Sequence, residues 1–296
     1  MLSKQFINSD RALRRQWTVL FAGALVFFAA AARAEPPQRI VSINLCTDQF
    51  VLALADHDQI AGVSRAGKDP FYSPLADQTA GLADHRGGAE EIVMMRPDLV
   101  VAGPYANLQT VQMLKRLQVP ILNVPSVNKI RELFPEIRRV ADRVGRPERG
   151  TELVQTLEAQ YKSFAVDGVR GTGAIYLSGG YILGKDTIVN DVMQTAGLSN
   201  VGASIGVRGE DRLALETLIL SPPDFLILDL SRPERPSLGR RMLKHPAVAK
   251  MPVAHEVLEL PVQYWLCSTP ATIEGAAQLT ARVTAQLSAS KGRHTP

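Results

Sequence analysis

The amino-acid sequence predicts an α/β fold built from two lobes of similar design. Short runs rich in β-branched residues alternate with longer runs of helical periodicity, a pattern that favours mainly parallel sheets flanked by helices. One helix–turn–strand segment occurs twice along the chain, at a constant offset of 126 residues. A long helical stretch separates the two copies and predicts a stiff connection between the lobes.

The individual elements are predicted from apolar runs and their period. In the first lobe, strands are expected at 39–43, 60–63, 99–101 and 121–124, and helices at 48–54, 89–95 and 111–117. Helical segments at 129–144 and 148–164 follow, and Pro147 suits the first turn of the second of them. The second lobe is expected to contain a strand at 174–177 and helices at 188–196 and 271–287.

The repeated segment reads Glu, apolar helix, Pro-Asp, then buried strand. Residues 90–101 align with residues 216–227, so that Glu90 corresponds to Glu216 and Asp98 to Asp224. The proline separates helix from strand, because the residue before a proline avoids the helical region. A shorter match, 119–121 with 251–253, follows at nearly the same offset. Two matches in the same order indicate two lobes of similar build.

The N-terminal segment has the features of a secretory signal peptide. A basic stretch precedes an apolar run at 17–32, and Ala32-Arg33-Ala34 fits the small-x-small cleavage pattern. The run is shorter than the roughly 20 residues of a membrane-spanning helix. We therefore expect cleavage after Ala34 and a mature protein free in the periplasm. The expected organisation is a signal peptide (1–34), an N-terminal lobe (35–145), a linking helix (146–167) and a C-terminal lobe (168–296).

The charge of the chain argues against nucleic acid as a partner. The whole sequence has a net charge of +4, but residues 1–34 contain five of its 33 basic residues and one of its 29 acidic residues. The mature part would keep 28 of each and be neutral. It would lack the basic surface that binding to phosphate backbones requires.

Four features, in order, resemble the class III periplasmic binding proteins. They are the Ile-Asn-Leu-Cys-Thr exit of the first strand (43–47), the Glu-x-Ile-x-x-x-x-Pro-Asp-Leu-Val-Val segment (90–101), the linking helix, and a Gly-Gly-Tyr (179–181) followed by a helix ending Ala-Gly-Leu. The resemblance covers residues 39 to 288. It implies two Rossmann-like lobes joined by one long helix, with the ligand held between them. The family serves ABC importers of ferric siderophores, haem and cobalamin.

The resemblance places ligand contacts on loops at the carboxyl ends of the strands, in agreement with the general rule for open α/β sheets. Carried over by position, the first lobe contributes Asn44, Leu45, Cys46, Arg65, Tyr72, His85 and Tyr105, and the second contributes Tyr181, Arg208, Tyr264, Trp265 and Cys267. Aromatic residues suit this role because they offer large, rigid contact areas.

Several of these residues have a simpler interpretation. For Tyr72 and Tyr105, covering the ends of their loops is an equally good interpretation, whereas contact with the ligand is favoured for Trp265. For Arg65 and Arg208, pairing with local carboxylates is favoured over contact with a chelate. His85 is expected to be a solvated histidine on a loop.

The two cysteines, Cys46 and Cys267, are expected to face the cleft from opposite lobes. Three interpretations remain open, in order of preference. They are small buried thiols, thiolate ligands of a chelated metal, or a disulfide, which is disfavoured because it would close the cleft.

The leading functional hypothesis is a monomeric binding protein for a bulky metal chelate, with a ferric siderophore favoured over cobalamin and haem. The expected partners are an inner-membrane ABC permease dimer and its ATPase subunits. An enzyme with a cysteine nucleophile and a ligand-sensing module are the alternatives from other classes. No catalytic constellation or cofactor fingerprint is found in the sequence, and its five histidines are scattered.

The two residues that begin the repeats, Glu90 and Glu216, align with the acidic pair that class III proteins present to their transporter. The resemblance therefore implies docking to basic groups of the permease dimer. Complementarity to the helix dipole is the simpler role of a glutamate in the first turn.

Overall fold

The computed structural model describes residues 35–228, 241, 243, 245–251, 253–255 and 257–292. The signal peptide expected at 1–34 lies outside the described residues. Residues 37–296 form one compact unit. No helix in the described part of the chain is both long and apolar enough to span a bilayer.

The first sheet is parallel throughout and has the strand order β3-β2-β1-β4-β5 among the described residues. Its strands are β1 (Ile40–Ser42), β2 (Ile60–Ser64), β3 (Ala83–His85), β4 (Leu99–Ala102) and β5 (Ile121–Asn123). Helices α1 (Leu45–Leu54), α2 (Ala89–Met94) and α3 (Leu108–Arg116) flank it, together with short 3-10 helices at His57–Gln59, Arg65–Lys68 and Ala76–Thr79. Strands β1 and β4 are fully buried in the middle of the sheet, which explains why β4 is apolar throughout and β1 is apolar except for Ser42.

The second sheet is mixed. Its described strands are β6 (Gly171–Leu177), β7 (Tyr181–Leu183), β8 (Leu198–Asn200), β9 (Glu210–Arg212), β10 (Phe225–Leu228) and β11 (Leu258–Glu259). They lie in the order β11-β10-β6-β7-β9, with β8 also paired to β6. Strand β7 runs antiparallel to β6 and β9, whereas the remaining pairs are parallel.

Two consecutive helices connect the sheets, α4 (Ile130–Arg143) and α5 (Pro147–Phe164). As predicted, Pro147 stands in the first turn of α5. The second lobe adds α6 (Ile188–Thr195), α7 (Val201–Ser204), α8 (Leu215–Leu220), α9 (Pro246–Ala249), a 3-10 turn at Val262–Tyr264 and the closing helix α10 (Ala271–Gly292). The predicted α/β architecture with a helical link is confirmed, while the boundaries expected for the lobes stay predictions.

Hydrogen bonds also tie the lobes to each other directly. The Ile130 amide donates to Asp191 Oδ2 at 2.8 Å, and Ser268 Oγ donates to the Val127 carbonyl at 2.6 Å. One apolar core runs through both lobes, because the buried residues of α1, α4, α6 and α10 belong to a single cluster. The connection between the lobes is therefore packed and stiff.

The repeat seen in the sequence corresponds to equivalent structure in the two lobes. The Asp98 carboxylate accepts the Arg39 amide at 3.0 Å beside β1, and the Asp224 carboxylate accepts the Thr172 amide at 2.7 Å at the start of β6. Each aspartate thus fastens the strand after its helix to the central strand of its sheet.

Candidate ligand-binding cleft

A cleft of about 660 Å³ lies between the two lobes. Segments that follow strands β1, β4, β5 and β11 form about half of its wall, in agreement with the rule for open α/β sheets, and the end of β7 with the start of α6 forms much of the rest. The lining residues are Asn44, Leu45, Cys46, Tyr105, Ser126, Asn128, Leu177, Leu183, Asp186, Thr187, Ile188, Val189, Gly209, Glu210, Trp265, Leu266, Cys267 and Ser268. Uncharged polar and apolar side chains make up most of this wall.

In the first lobe, the cleft lies at the beginning of helix α1. Asn44 is the N-cap of this helix, and its Oδ1 accepts the Thr47 amide at 3.0 Å. The other half of the amide group, Nδ2, is buried and has no hydrogen-bond partner among the described residues. A buried donor without a partner carries a desolvation cost.

In the second lobe, two carboxylates border the cleft. Asp186 Oδ2 accepts Arg208 Nη2 at 2.6 Å in an exposed ion pair. Glu210 forms no ion pair with any described residue. Thr187, which follows Asp186, caps α6 by accepting the Asn190 amide. Glu210 therefore leaves one carboxylate without an ion pair on this side of the wall, among the described residues.

The two cysteines form a disulfide, with Cα atoms 5.3 Å apart. The preference for buried thiols or thiolate ligands over a disulfide is therefore wrong, and neither sulfur is available as a metal ligand or a nucleophile. The expectation rested on the idea that a bridge would close the entrance. Instead, Cys46 and Cys267 meet beside the buried hydrogen bond from Thr269 Oγ1 to Gln49 Oε1 (2.6 Å), where the lobes already pack.

Six of the twelve predicted ligand contacts lie in the wall, namely Asn44, Leu45, Cys46, Tyr105, Trp265 and Cys267. Tyr105 is highly exposed and can reach a ligand with its ring. Trp265 is 7% exposed and its Nε1 donates to the Leu260 carbonyl at 3.1 Å, so most of its ring belongs to the core. Arg208 reaches the wall only through its pair with Asp186.

His85 is buried, so the prediction of a solvated loop histidine is wrong. Its Nδ1 accepts the Gly87 amide at 3.0 Å, which leaves the proton on Nε2 to be donated to the Ser42 carbonyl at 2.8 Å. Burial lowers the pKa of the imidazole below its usual value. The neutral ring uses both nitrogens to hold the end of β3 against β1.

The remaining four predicted contacts lie outside the wall. Arg65 Nε donates to Asp84 Oδ2 at 3.1 Å, the local pairing that the sequence analysis favoured. Tyr72 is half-buried against the core, edge-on to Phe71. The Tyr181 ring lies under the Arg212 guanidinium at 5.1 Å. Tyr264 packs on α10 at Gly275, where a Cβ would come within 2.8 Å of the Tyr264 Cβ.

The sequence analysis did not identify several polar wall residues. Ser126 and Asn128 follow the predicted strand 121–124, so the same strand-end rule would have selected them. Asp186 and Thr187 precede the predicted helix at 188, and an Asp-Thr pair there is a recognisable capping signal. Glu210 lies in the fully exposed strand β9, whose sequence has no apolar pattern.

A buried carboxyl group lies close behind the cleft, in helix α1. Asp48 accepts the Ser64 amide on Oδ1 at 3.1 Å and hydrogen-bonds the Ser64 hydroxyl through Oδ2. Burial raises the pKa of Asp48 to about 7 despite these bonds. The protonated carboxyl group therefore stabilises this end of α1 at acidic pH.

The two glutamates of the repeat lie outside the cleft on exposed helix surfaces. Glu90 is the second residue of α2 and Glu216 the second residue of α8, so they occupy equivalent positions. Among the described residues, no group of three or more His, Cys, Asp or Glu side chains is arranged to hold a metal ion.

The sequence and the fold are similar to those of known proteins. Residues 40–256 match the model of a family described as "Periplasmic binding protein". A cobalamin-binding protein of Halobacterium salinarum is 22% identical over 204 residues, which is 66% of this chain and 54% of that protein. The chain thus spans about half the length of that curated relative.

Solved structures share the fold. The periplasmic heme-binding protein RhuT from Roseiflexus sp. RS-1 superposes with a TM-score of 0.69 at 24% identity, over 83% of this chain and 97% of RhuT. The periplasmic vitamin B12 binding protein BtuF of Vibrio cholerae superposes with a TM-score of 0.62 at 19% identity, over 84% and 97% of the two chains. From its family match, its two sheets and its helical link, the chain belongs to the periplasmic binding protein family, in class III.

Proposed function

We propose that this protein captures a bulky metal chelate without net negative charge, of the corrinoid type, and delivers it to an ABC importer. The observation that carries this proposal is the chemistry of the cleft wall. The described part of the wall contains two carboxylates, several uncharged polar groups and an apolar surface, and it contains no Lys, Arg or His side chain.

The charge of the wall discriminates among the ligands known for the family. Haem carries two propionates, and many ferric siderophores are anionic, so the Glu210 carboxylate would repel them. A corrinoid carries peripheral carboxamides, whose N–H groups donate to carboxylates and whose carbonyls accept from amide donors such as Asn128 Nδ2. This reasoning shifts the preference from a ferric siderophore to a corrinoid. The similarity to a cobalamin-binding protein supports the same choice.

The apolar part of the wall suits the broad face of such a chelate. Leu177, Leu183 and Leu266 present aliphatic surface, and Tyr105 adds an exposed ring. Binding sites for large ligands typically combine apolar surface with a few placed polar groups. The cleft is open to solvent, so a ligand larger than 660 Å³ can be held by one face.

The transport role rests on the family and on position. We propose that the mature protein is a monomer in the periplasm, exported by the signal peptide at 1–34. Glu90 and Glu216 would then dock onto basic groups of a permease dimer that works with ATPase subunits. Their equivalent positions at α2 and α8 support this proposal, because a dimer presents the same surface twice.

The test is a titration of purified mature protein, followed by the fluorescence of Trp265, the only tryptophan after residue 34. Cyanocobalamin should quench with 1:1 stoichiometry, whereas haemin and an anionic ferric catecholate should bind at least tenfold more weakly. Glu210→Lys should reduce this difference in affinity, because it favours the anionic chelates. Glu152→Lys is the matched control, since Glu152 is exposed on α5, outside the cleft, and forms no ion pair with a described residue. Preferential binding of haemin or the ferric chelate by the unmodified protein would refute the corrinoid assignment.

Recovery of the ligand unchanged separates a binder from an enzyme. Uptake of labelled cyanocobalamin by cells that carry the gene separates a transport protein from a sensor. A chain that binds the ligand but is dispensable for uptake would contradict the importer role.

A further inference from the structure

Each of the two repeated helices carries an exposed apolar side chain in addition to its glutamate. Met94 ends α2 and is 82% exposed, and Leu220 ends α8 and is 83% exposed. They are equivalent residues, since they differ by the repeat offset of 126. Each lies four residues after its glutamate, so that carboxylate and apolar side chain share one helix face about one turn apart.

The helices hold these side chains outward by the same means in both lobes. The residue two positions earlier, Ile92 in α2 and Leu218 in α8, is fully buried against the central strands of its sheet. Two positions along a helix rotate the side chain by about 200°, which turns Met94 and Leu220 away from the core. The Pro-Asp anchors at Asp98 and Asp224 then fix the ends of both segments.

A single exposed apolar residue needs no explanation in a folded protein. Here the same pair, a carboxylate and a large apolar group, recurs at equivalent positions of two lobes. Neither Glu90 nor Glu216 forms an ion pair with a described residue. The repeated pair therefore matches a partner that presents a basic group beside an apolar recess, twice.

Charge complementarity selects among the partners that could cover these surfaces. A second copy of this chain would oppose carboxylate to carboxylate, and an anionic lipid surface would repel both glutamates. A dimeric permease with basic groups avoids both conflicts. In the first lobe the apolar surface continues into a groove between α2 and α3, where Val93, Met113 and Leu117 are partly exposed, which enlarges the contact available there.

We propose that Met94 and Leu220 are the apolar contacts of a two-point docking surface, each inserting into a recess of one permease subunit beside the basic group that pairs with its glutamate. This inference rests on the proposed importer role and names two residues of its interface. The glutamates steer and orient the encounter, and the apolar side chains supply contact area that holds the complex.

The experiment compares Met94→Ser, Leu220→Ser and the double variant with the unmodified protein. Val169→Ser is the matched control, because Val169 is 73% exposed in the loop before β6 and has no counterpart in the first lobe. Binding is measured to a permease–ATPase complex of a class III importer from the same organism, reconstituted in lipid nanodiscs, with protein-free nanodiscs as reference. Cyanocobalamin titration and thermal unfolding of each variant report the cleft and the fold separately.

Each single serine variant should weaken docking by about tenfold and the double variant by more, because each serine removes the apolar area that one Met or Leu side chain buries in the complex. Titration with cyanocobalamin and the melting temperature should be unchanged, and Val169→Ser should dock normally. Unchanged docking of the double variant, binding to protein-free nanodiscs, or self-association that the serines abolish would overturn the inference.

The outcomes separate this inference from the function on which it rests. If Glu90→Arg and Glu216→Arg weaken docking but the serine variants do not, the importer role stands and the apolar contacts are refuted. If the serine variants weaken docking although the protein does not bind cyanocobalamin, the docking surface stands and the ligand assignment fails.

Discussion

Removal of the bridge between Cys46 and Cys267 is the perturbation whose effect the structure predicts most directly. The two cysteines are separated by 221 positions, so the bridge closes most of the 296-residue sequence into one loop. The chain-entropy relation then gives about 5 kcal/mol of stabilisation at 25 °C, and measured values for disulfides are more often about 2–4 kcal/mol. We expect Cys46→Ser plus Cys267→Ser to lower the free energy of unfolding by an amount in this range.

The folded state should survive the change, because the lobes stay joined by packing and hydrogen bonds. The bond from Ser268 to the Val127 carbonyl and the bond from Thr269 to Gln49 lie next to the bridge and need no sulfur. Far-UV circular dichroism of the double variant should therefore match that of the oxidised protein. The free energy of ligand binding should change by less than the free energy of unfolding, because the two cysteines form only a small part of the cleft wall.

The assay is equilibrium unfolding in urea, followed by Trp265 fluorescence and by circular dichroism. Unmodified protein unfolded in the presence of a thiol reductant should show the same loss as the double variant. Ser268→Ala is the matched control, because it removes only the hydrogen bonds of that hydroxyl, with the Val127 carbonyl and the Ser126 hydroxyl, and should cost about 1–2 kcal/mol. A double variant whose unfolding midpoint and slope equal those of the oxidised protein would refute the reasoning.

Three further predictions concern pH, a buried aromatic ring and motion. Burial raises the pKa of Asp48 from 3.8 to about 7, so the unfolded chain loses this proton at lower pH than the folded protein. The free energy of unfolding should therefore fall by up to about 4 kcal/mol as the pH rises from about 4 to above 7. Urea unfolding at a series of pH values measures this loss, and Asp48→Asn should remove it. If the free energy of unfolding varies with pH in the same way for the unmodified protein and for Asp48→Asn, this role of Asp48 is wrong. Trp265→Ala should lower the free energy of unfolding by about 3–5 kcal/mol, because the ring is buried. It should also weaken ligand binding by about 1–3 kcal/mol if the edge of the ring contacts the ligand. Unchanged affinity would show that Trp265 is not part of the binding site. X-ray scattering should show little change in radius of gyration on binding, because the lobes are joined by α5, the shared core and the disulfide; a large contraction would be inconsistent with this connection.

The sequence predicts elements well where burial imposes a pattern. Strands β4 and β10 are buried on both faces and appear in the sequence as continuous apolar runs, and the buried strand β1 is interrupted only by Ser42. Strand β9 is exposed along its whole length, and β3 is exposed at two of its three residues, so neither has an apolar signature. Their place in the sheets depends on hydrogen bonds to neighbours that are distant in sequence.

The cleft was predictable only in part, for a related reason. The family resemblance, in agreement with the strand-end rule, selected Asn44, Leu45 and Tyr105, and all three lie in the wall. The preference for aromatic rings also selected Tyr72 and Tyr264, which pack against protein and not in the cleft. A ring gains contact area in either environment, so residue type does not decide between them.

The cysteines show how an assumption about geometry can mislead. A disulfide between lobes closes a cleft only if it crosses the entrance. The sequence does not show how far Cys46 and Cys267 lie from the entrance. The structure places Cys267, which is 3% exposed, beside the buried bond of Thr269. The bridge can therefore restrain the lobes without blocking access.

The bridge also changes the topology of the covalent chain. With residues 46 and 267 linked, the polypeptide between them is a ring that carries two short tails. A single proteolytic cut anywhere in that ring opens it but releases no fragment, so the product would migrate as one species on a non-reducing gel and as two after reduction. Because the sequence contains two cysteines in total, they have no alternative partner within the chain. Any covalent dimer recovered from oxidative refolding would therefore identify chains whose lobes had not yet come together.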